Sequence, residues 1–249
     1  SGFLSVVVDS SRPRFLGPAL ADAITGIYAA YGVLGALVQR GRTGQGALVE
    51  VSMLEAMAHF AVEPFAAFFS LGATPTSSDR PRLAQAYILH TADARLIAIH
   101  LSSLEKFWDG LVAALDAPEL ASDGRFRLRQ ARIDNYESLN AELDRRFSRR
   151  DLAHWIERLG RHDVPYAPIN TIEEVVHDPQ VEHLGLIVPV VGANGASRSV
   201  RPPVQFGGIR ASSVRAAPLL NEHGTSIRAA IAGGEPWPAA LSEGAAREG

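Results

Sequence analysis

Asp22 is the residue whose type and setting best suit chemistry. It follows the loop Gly17-Pro18-Ala19-Leu20-Ala21 and opens a long, weakly polar run over residues 23–38. Asp is among the preferred helix caps, and capping alone would account for it. A carboxylate at that end of a helix is also held ionised by the helix dipole. In a loop lined by glycine and proline, a substrate carbonyl can approach it. An ionised carboxylate can attack an activated acyl group and form a covalent anhydride, which a second acceptor then resolves. One side chain can serve both roles.

Other chemistries find less support. The histidines are His59, His90, His100, His154, His162, His177, His183 and His223. None stands in an HExxH motif or in close ligand register with a carboxylate, so no metal site is expected. The chain has no cysteine, which removes disulfides and thiolate nucleophiles and fits a reducing, cytoplasmic setting. No Gly-x-Ser-x-Gly elbow is present. Residues 41–46, Gly-Arg-Thr-Gly-Gln-Gly, run from a helix into a strand, the reverse of a phosphate cradle. They are read as a helix C-cap and turn, with Arg40 and Arg42 as candidate contacts for an anionic cofactor. The balance of 27 acidic against 24 basic residues, net charge -3, argues against broad nucleic-acid binding.

The surrounding elements must place these groups. Hydrophobic residues make up 47% of the 249 and charged residues 20%, which is globular composition. The chain opens Ser1-Gly2-Phe3 with no secretory signal in view, and this start is read as a cut through a longer chain. Residues 23–38 are expected to form a buried helix. They are too short for a bilayer span, and they contain Thr25, Tyr28, Tyr31 and the glycines 26, 32 and 35, so no membrane association is expected. Gly32 and Gly35 lie on neighbouring parts of one face, which predicts close approach of another backbone, from a second helix or a partner chain. Residues 47–52 alternate as a strand does, and residues 53–71 predict a helix. Helix, turn, strand, helix is the α/β pattern.

Residues 73–82 read as a linker, after which the texture changes. Residues 86–91 and 95–100 predict two strands around the turn Ala92-Asp93-Ala94. Ser102 with Glu105 has the form of a capping box opening a helix to Leu115. A charged stretch over 123–132 leads to helices near 136–147 and 149–160, the second starting at Ser148 or Asp151. Residues 164–169 are extended. Thr171 with Glu174 caps a short helix that stops before Asp178-Pro179. Residues 186–209 read as short strands with turns at 192–195 and at Pro202-Pro203, and a last helix is expected over 225–232. The tail after Ile231 has little to bury.

An ordered series of segments resembles the family III CoA-transferases, the CaiB/BaiF group. These are Ser1-Gly2-Phe3, Gly17 through Gly26, Gly35-Ala36-Leu37, Arg40 through Gly46 and Val49 through Ala56, followed by Phe107-Trp108, Val164 through Ile169, Asp178 through Val181 and Pro218 through His223. The resemblance runs over nearly the whole chain. It implies an α/β fold, the C-terminal part of a Rossmann-like large domain with an inserted small α+β domain. Residues 1–83 would be a large-domain segment, 84–185 the small domain, and 186–249 the return to the large domain with the tail. It also implies that Asp22 is the catalytic carboxylate, which takes the acyl group from CoA as an aspartyl anhydride. Coenzyme A and acyl-CoA would be substrates rather than permanent cofactors, with a carboxylic acid as acceptor. The partner would be a second copy in an interlocked dimer, or a chain carrying the N-terminal half. Two other readings stay open: an α-methylacyl-CoA racemase using Asp22 as one of two acid/base groups, and a catalytically incomplete fragment or dimerisation subunit. Two features depart from the family. The family's N-terminal part, with most of its CoA contacts, precedes the position of Ser1, and the usual Asp-Gly of the small-domain hairpin is Asp93-Ala94 here.

Overall fold

The apolar run beside Asp22 folds as one long helix, α1 (Leu20–Thr43). The computed structural model describes residues 1–9, 12–102, 105–192 and 197–233. The chain divides into two units, Ser1–Ile169 and Asn170–Gly249.

In the first unit, α1 begins two residues before Asp22, flanked by Ala19. Leu20 and Ala21 are strong helix formers, and both pack against the small cluster of Ile24, Ala56 and Met57. Asp22 is therefore the third helical residue and not the cap the sequence suggested. The other end closes as expected: Gly44 takes the left-handed conformation, and its N–H donates to the Arg40 carbonyl at 2.8 Å.

The expectation of a buried helix needs correction. Ile24 is the buried residue of α1. Ile27, Tyr31, Leu34 and Val38 form an exposed apolar stripe, with Tyr31 76% exposed. The neighbour along α1 is α2 (Met53–Phe60), too short to cover it. At 24 residues the helix outruns the stretch judged from sequence, and by length and composition it could cross a membrane. A Cβ at Gly32 would lie 2.8 Å from Val49 Cγ1, while Gly35 and Gly26 face open space. The close approach at Gly32 thus comes from a side chain, not from a second backbone.

Residues 45–52 form no strand, and Leu48 is 83% exposed. A strand needs a neighbour, and none pairs with this segment among the described residues. The single helix expected over 53–71 is two, α2 and α3 (Val62–Leu71), broken at Ala61. Pro64 supplies the cause, because it has no N–H to return to the Phe60 carbonyl.

The expected linker is partly helical: α4 (Asp79–Ala84) occupies its end, and the Asp79 carboxylate accepts the Thr76 N–H at 2.7 Å and Arg82 at 3.0 Å. Strands β1 (Ala86–His90) and β2 (Leu96–His100) form the expected hairpin, and β3 (Tyr166–Pro168) adds antiparallel to β2. The register sets Tyr87 beside Ile99 and Ile99 beside Tyr166. Tyr87, Leu89, Ile97 and Ile99 point into the main core. There they meet α5 (Glu105–Leu115) through Trp108 and Leu111. They also meet α8 (Tyr136–Phe147) through Leu139 and Leu143, and α9 (Leu152–Arg161) through Trp155 and Leu159. Asp151 caps α9, accepting the His154 N–H at 2.9 Å. Two short helices, α6 (Pro118–Ser122) and α7 (Arg129–Asp134), were not anticipated in or beside the charged stretch. Residues 103–104 lie outside the described residues, and so does the core of the expected Ser102 cap; the Glu105 carboxylate takes Arg132 at 2.9 Å.

In the second unit, Thr171 and Glu174 make the expected capping box on α10 (Ile172–Val175). Asp178 does more than end that helix. Its carboxylate accepts the N–H groups of Gln180 (2.7 Å) and Val181 (3.3 Å), starting α11 (Pro179–Leu184) with proline in the first turn. Strand β4 (Ile187–Val191) pairs antiparallel with β5 (Arg198–Val200) and parallel with β6 (Val214–Arg215). Helix α12 (Gly224–Gly233) is the last described element. Most of the turn expected at 192–195, and the tail from 234, lie outside the described residues.

Candidate active site

Asp22 is exposed on the first turn of α1. The N–H groups of that turn have no partner four residues back within the helix. Asp22 lines a cleft of about 230 Å³ together with Phe3, Leu4, Phe15, Leu16, Leu20 and Met57. The loop before α1 supplies Phe15 and Leu16. The 3-10 turn Phe3–Val6 supplies Phe3 and Leu4, and α2 supplies Met57.

Two contacts hold these pieces together. Phe3 meets Phe60 edge to face at 5.7 Å between ring centroids. Tyr28 on α1 hydrogen-bonds His59 on α2, Oη to Nδ1, at 2.5 Å. The carboxylate, its helix and its apolar walls therefore form one local assembly. Chemically, it presents a charged oxygen nucleophile beside a pocket suited to an apolar group.

Arg40 and Arg42 are not part of that assembly. They sit in the last turn of α1, 18 residues beyond Asp22 in the case of Arg40, or about 27 Å at 1.5 Å per residue. Both are exposed, and there they complement the negative end of the helix dipole. Among the described residues no group of three or more His, Asp or Glu is placed to hold a metal. A larger cavity, about 620 Å³, lies on the first unit's sheet beside Ile88, His100, Tyr136 and Tyr166. It contains no carboxylate; the cleft lined by Asp22 is taken as the candidate site because the sequence singled out that residue.

The walls of the cleft carried no sequence signal as site residues. Phe3, Leu16 and Met57 have the same side-chain types as any core position. Tyr28 and His59 are 31 residues apart, and only the packing of α2 on α1 joins them.

Comparison with known proteins identifies the family. CoA-transferase family III is matched over residues 1–224. The chain is 26% identical to acetyl-CoA:oxalate CoA-transferase of Acetobacter aceti, over 91% of this chain and 58% of that protein. It is 27% identical to human succinyl-CoA:glutarate CoA-transferase, over 88% of this chain and 50% of that protein. Among solved structures, a CaiB/BaiF family protein from Brucella suis superposes with a TM-score of 0.76 at 29% identity, covering 92% of this chain and 60% of that one. The chain thus spans about half to three fifths of the length of the relatives it matches, and the α/β reading of its fold holds. From the loop before α1 to the start of α12, this chain belongs to CoA-transferase family III.

Proposed function

We propose that the protein moves CoA from an acyl-CoA thioester to a carboxylic acid, with Asp22 as the covalent nucleophile. The observation that carries this reading is that Asp22, exposed on the first turn of α1, lines a cleft in a chain of this family. The carboxylate oxygen attacks the thioester carbonyl. A C–O bond forms, the C–S bond breaks, and CoA leaves as a thiolate, giving an acyl-aspartyl anhydride. The acceptor carboxylate attacks the acyl carbon of that anhydride and the C–O bond to Asp22 breaks, leaving an anhydride of the two acids; the thiolate then attacks the acceptor's acyl carbon, the bridging C–O bond breaks, and the first acid departs with the bridging oxygen. One oxygen has then passed from acceptor to departing acid, and Asp22 is regenerated. CoA is a substrate throughout and no resident cofactor is required.

Residues 1–83 and 186–249 would belong to the large domain and 84–185 to the small one. The exposed stripe on α1 supports a homodimer, or a partner carrying the remaining family segment, and a cytoplasmic setting belongs to the same proposal. The decisive experiment traps the intermediate. The intact protein is incubated with acyl-CoA and hydroxylamine, digested, and read by mass spectrometry. A hydroxamate on the Asp22 peptide, absent in Asp22→Asn, supports the mechanism. Acyl transfer retained in Asp22→Asn overturns it. Solvent-deuterium exchange at the acyl α-carbon without any acceptor acid would replace transfer by racemisation.

A further inference from the structure

We infer that Met57 sets how far an acyl group carried by Asp22 can enter the cleft, and so the chain length the protein accepts. This rests on the reading of Asp22 as the acylated residue and names a specificity-determining side chain for it. Of the residues that line the cleft, Leu4, Phe15, Pro18 and Asp22 are exposed and form its rim, whereas Met57 is buried, at 6% exposure. Met57 is therefore the floor. With Ile24 and Ala56 it makes up the small buried cluster on which Phe3, Leu20, Ala21 and Tyr28 pack.

Met57 is fixed at its backbone and adaptable at its tip. Helix α2 starts at Ser52, whose hydroxyl oxygen accepts the Glu55 N–H at 3.1 Å. It is tied to α1 at His59, two residues beyond Met57, by the bond with Tyr28. The methionine side chain is unbranched and polarisable, so it moulds to what lies against it. Each methylene of an acyl chain that leaves water for the cleft adds about fourfold in affinity. That gain ends where the chain meets Met57. Ile24 and Ala56 are buried with it, and a packed interior has no room for a further methylene.

The test measures binding of straight-chain acyl-CoA thioesters, from acetyl to octanoyl, to the intact protein by calorimetry. In the wild type, affinity should climb with chain length and then level off. Met57→Ala removes the whole thioether end from the floor. It should move the levelling point to chains about two methylenes longer, since the site closes up only in part. Met57→Val removes less, keeps more of the packing, and should move it by about one. Met57→Leu conserves the volume and should leave it in place. Thermal unfolding shows which variants are folded. An unmoved levelling point in whichever of the two smaller variants folds, a moved one in Met57→Leu, or a wild type whose binding does not depend on chain length (no binding included) overturns the inference. The hydroxylamine trap keeps the two claims apart. A labelled Asp22 with an unmoved levelling point removes the role of Met57 and leaves the mechanism. A moved levelling point with acyl transfer retained in Asp22→Asn does the reverse.

Discussion

The phenol oxygen of Tyr28 lies 2.5 Å from Nδ1 of His59, with the two rings edge to face at 5.5 Å. The bond ties α1, which carries Asp22, to α2, which carries the cleft wall Met57. With the imidazole proton on Nε2, the Tyr28 hydroxyl donates to Nδ1. Tyr28→Phe keeps the ring packing and removes only this bond. Because the pair is near the surface, the expected loss is at the lower end of about 0.5–1.5 kcal/mol, measured by denaturant unfolding. In the active enzyme, KM for acyl-CoA should rise more than kcat falls, since Asp22 itself is untouched. Unchanged stability and unchanged KM would show that the pair positions nothing.

Ala94 sits in the hairpin turn between β1 and β2 with φ of 59°, in the left-handed region that disfavours a side chain. The strain is about 1–2 kcal/mol for an L residue. Glycine there would relieve it but would add unfolded-state freedom worth about 0.4–1 kcal/mol. Ala94→Gly should therefore raise stability by about 0.5–1 kcal/mol and restore the Asp-Gly turn the family resemblance led one to expect. A neutral or destabilising result in thermal unfolding would mean that the turn is not strained as drawn.

Next to it, Asp93 links the hairpin to α9. Its carboxylate accepts the Thr91 hydroxyl at 2.5 Å and the Leu152 N–H, in the first turn of α9, at 3.2 Å. These bonds, the Thr91 hydroxyl first, hold its carboxyl below the usual 3.8. The folded state then takes up a proton less readily than the unfolded chain. The stabilisation is complete above the ordinary aspartate range and is lost as pH falls through that range toward the lowered folded value. Asp93→Asn should flatten the acid limb of the stability curve below about pH 5 and leave its neutral-pH slope unchanged. Parallel acid limbs for both proteins would remove Asp93 from the acid response.

The physics that made parts of this fold readable is local. The β1–β2 hairpin, the Asp151 cap and the Thr171–Glu174 box each need only neighbouring residues, and each could be seen in the sequence. Arg132 could not. It is 2% exposed, donates to Gln85 Oε1, the Phe126 carbonyl and both oxygens of Glu105, and lies 4.6 Å from the Trp108 ring centre. In the sequence it is one arginine in a charged stretch, and its partners come from three separate segments. Residues 45–52 fail in the opposite way: their alternation was legible, but a strand is a property of two chains, and the second is not among the described residues. At the site, Asp22 was legible as a charge beside an apolar helix, while the cleft walls became visible only once α2 was packed on α1.

The stripe Ile27, Tyr31, Leu34 and Val38 on α1 gives the last prediction. Leu34 is 63% exposed, so in an isolated chain Leu34→Glu should change stability by no more than about 0.5 kcal/mol. Against a partner's apolar surface, the same carboxylate would be buried without a counter-charge and association would fail. Gly35→Ala sharpens the point. Nothing lies within 4 Å of a Cβ there, so the chain alone gains helix propensity of up to about 1 kcal/mol, whereas a partner backbone packed on Gly35 would be pushed away. Light scattering on size-exclusion eluates should show the wild type associated and both variants monomeric, with unfolding curves at least as stable as the monomer's. A wild type that is monomeric at high protein concentration would end the dimer proposal. If it instead floats with lipid vesicles, and Leu34→Glu does not, then lipid and not protein covers α1, as the length and composition of that helix also permit.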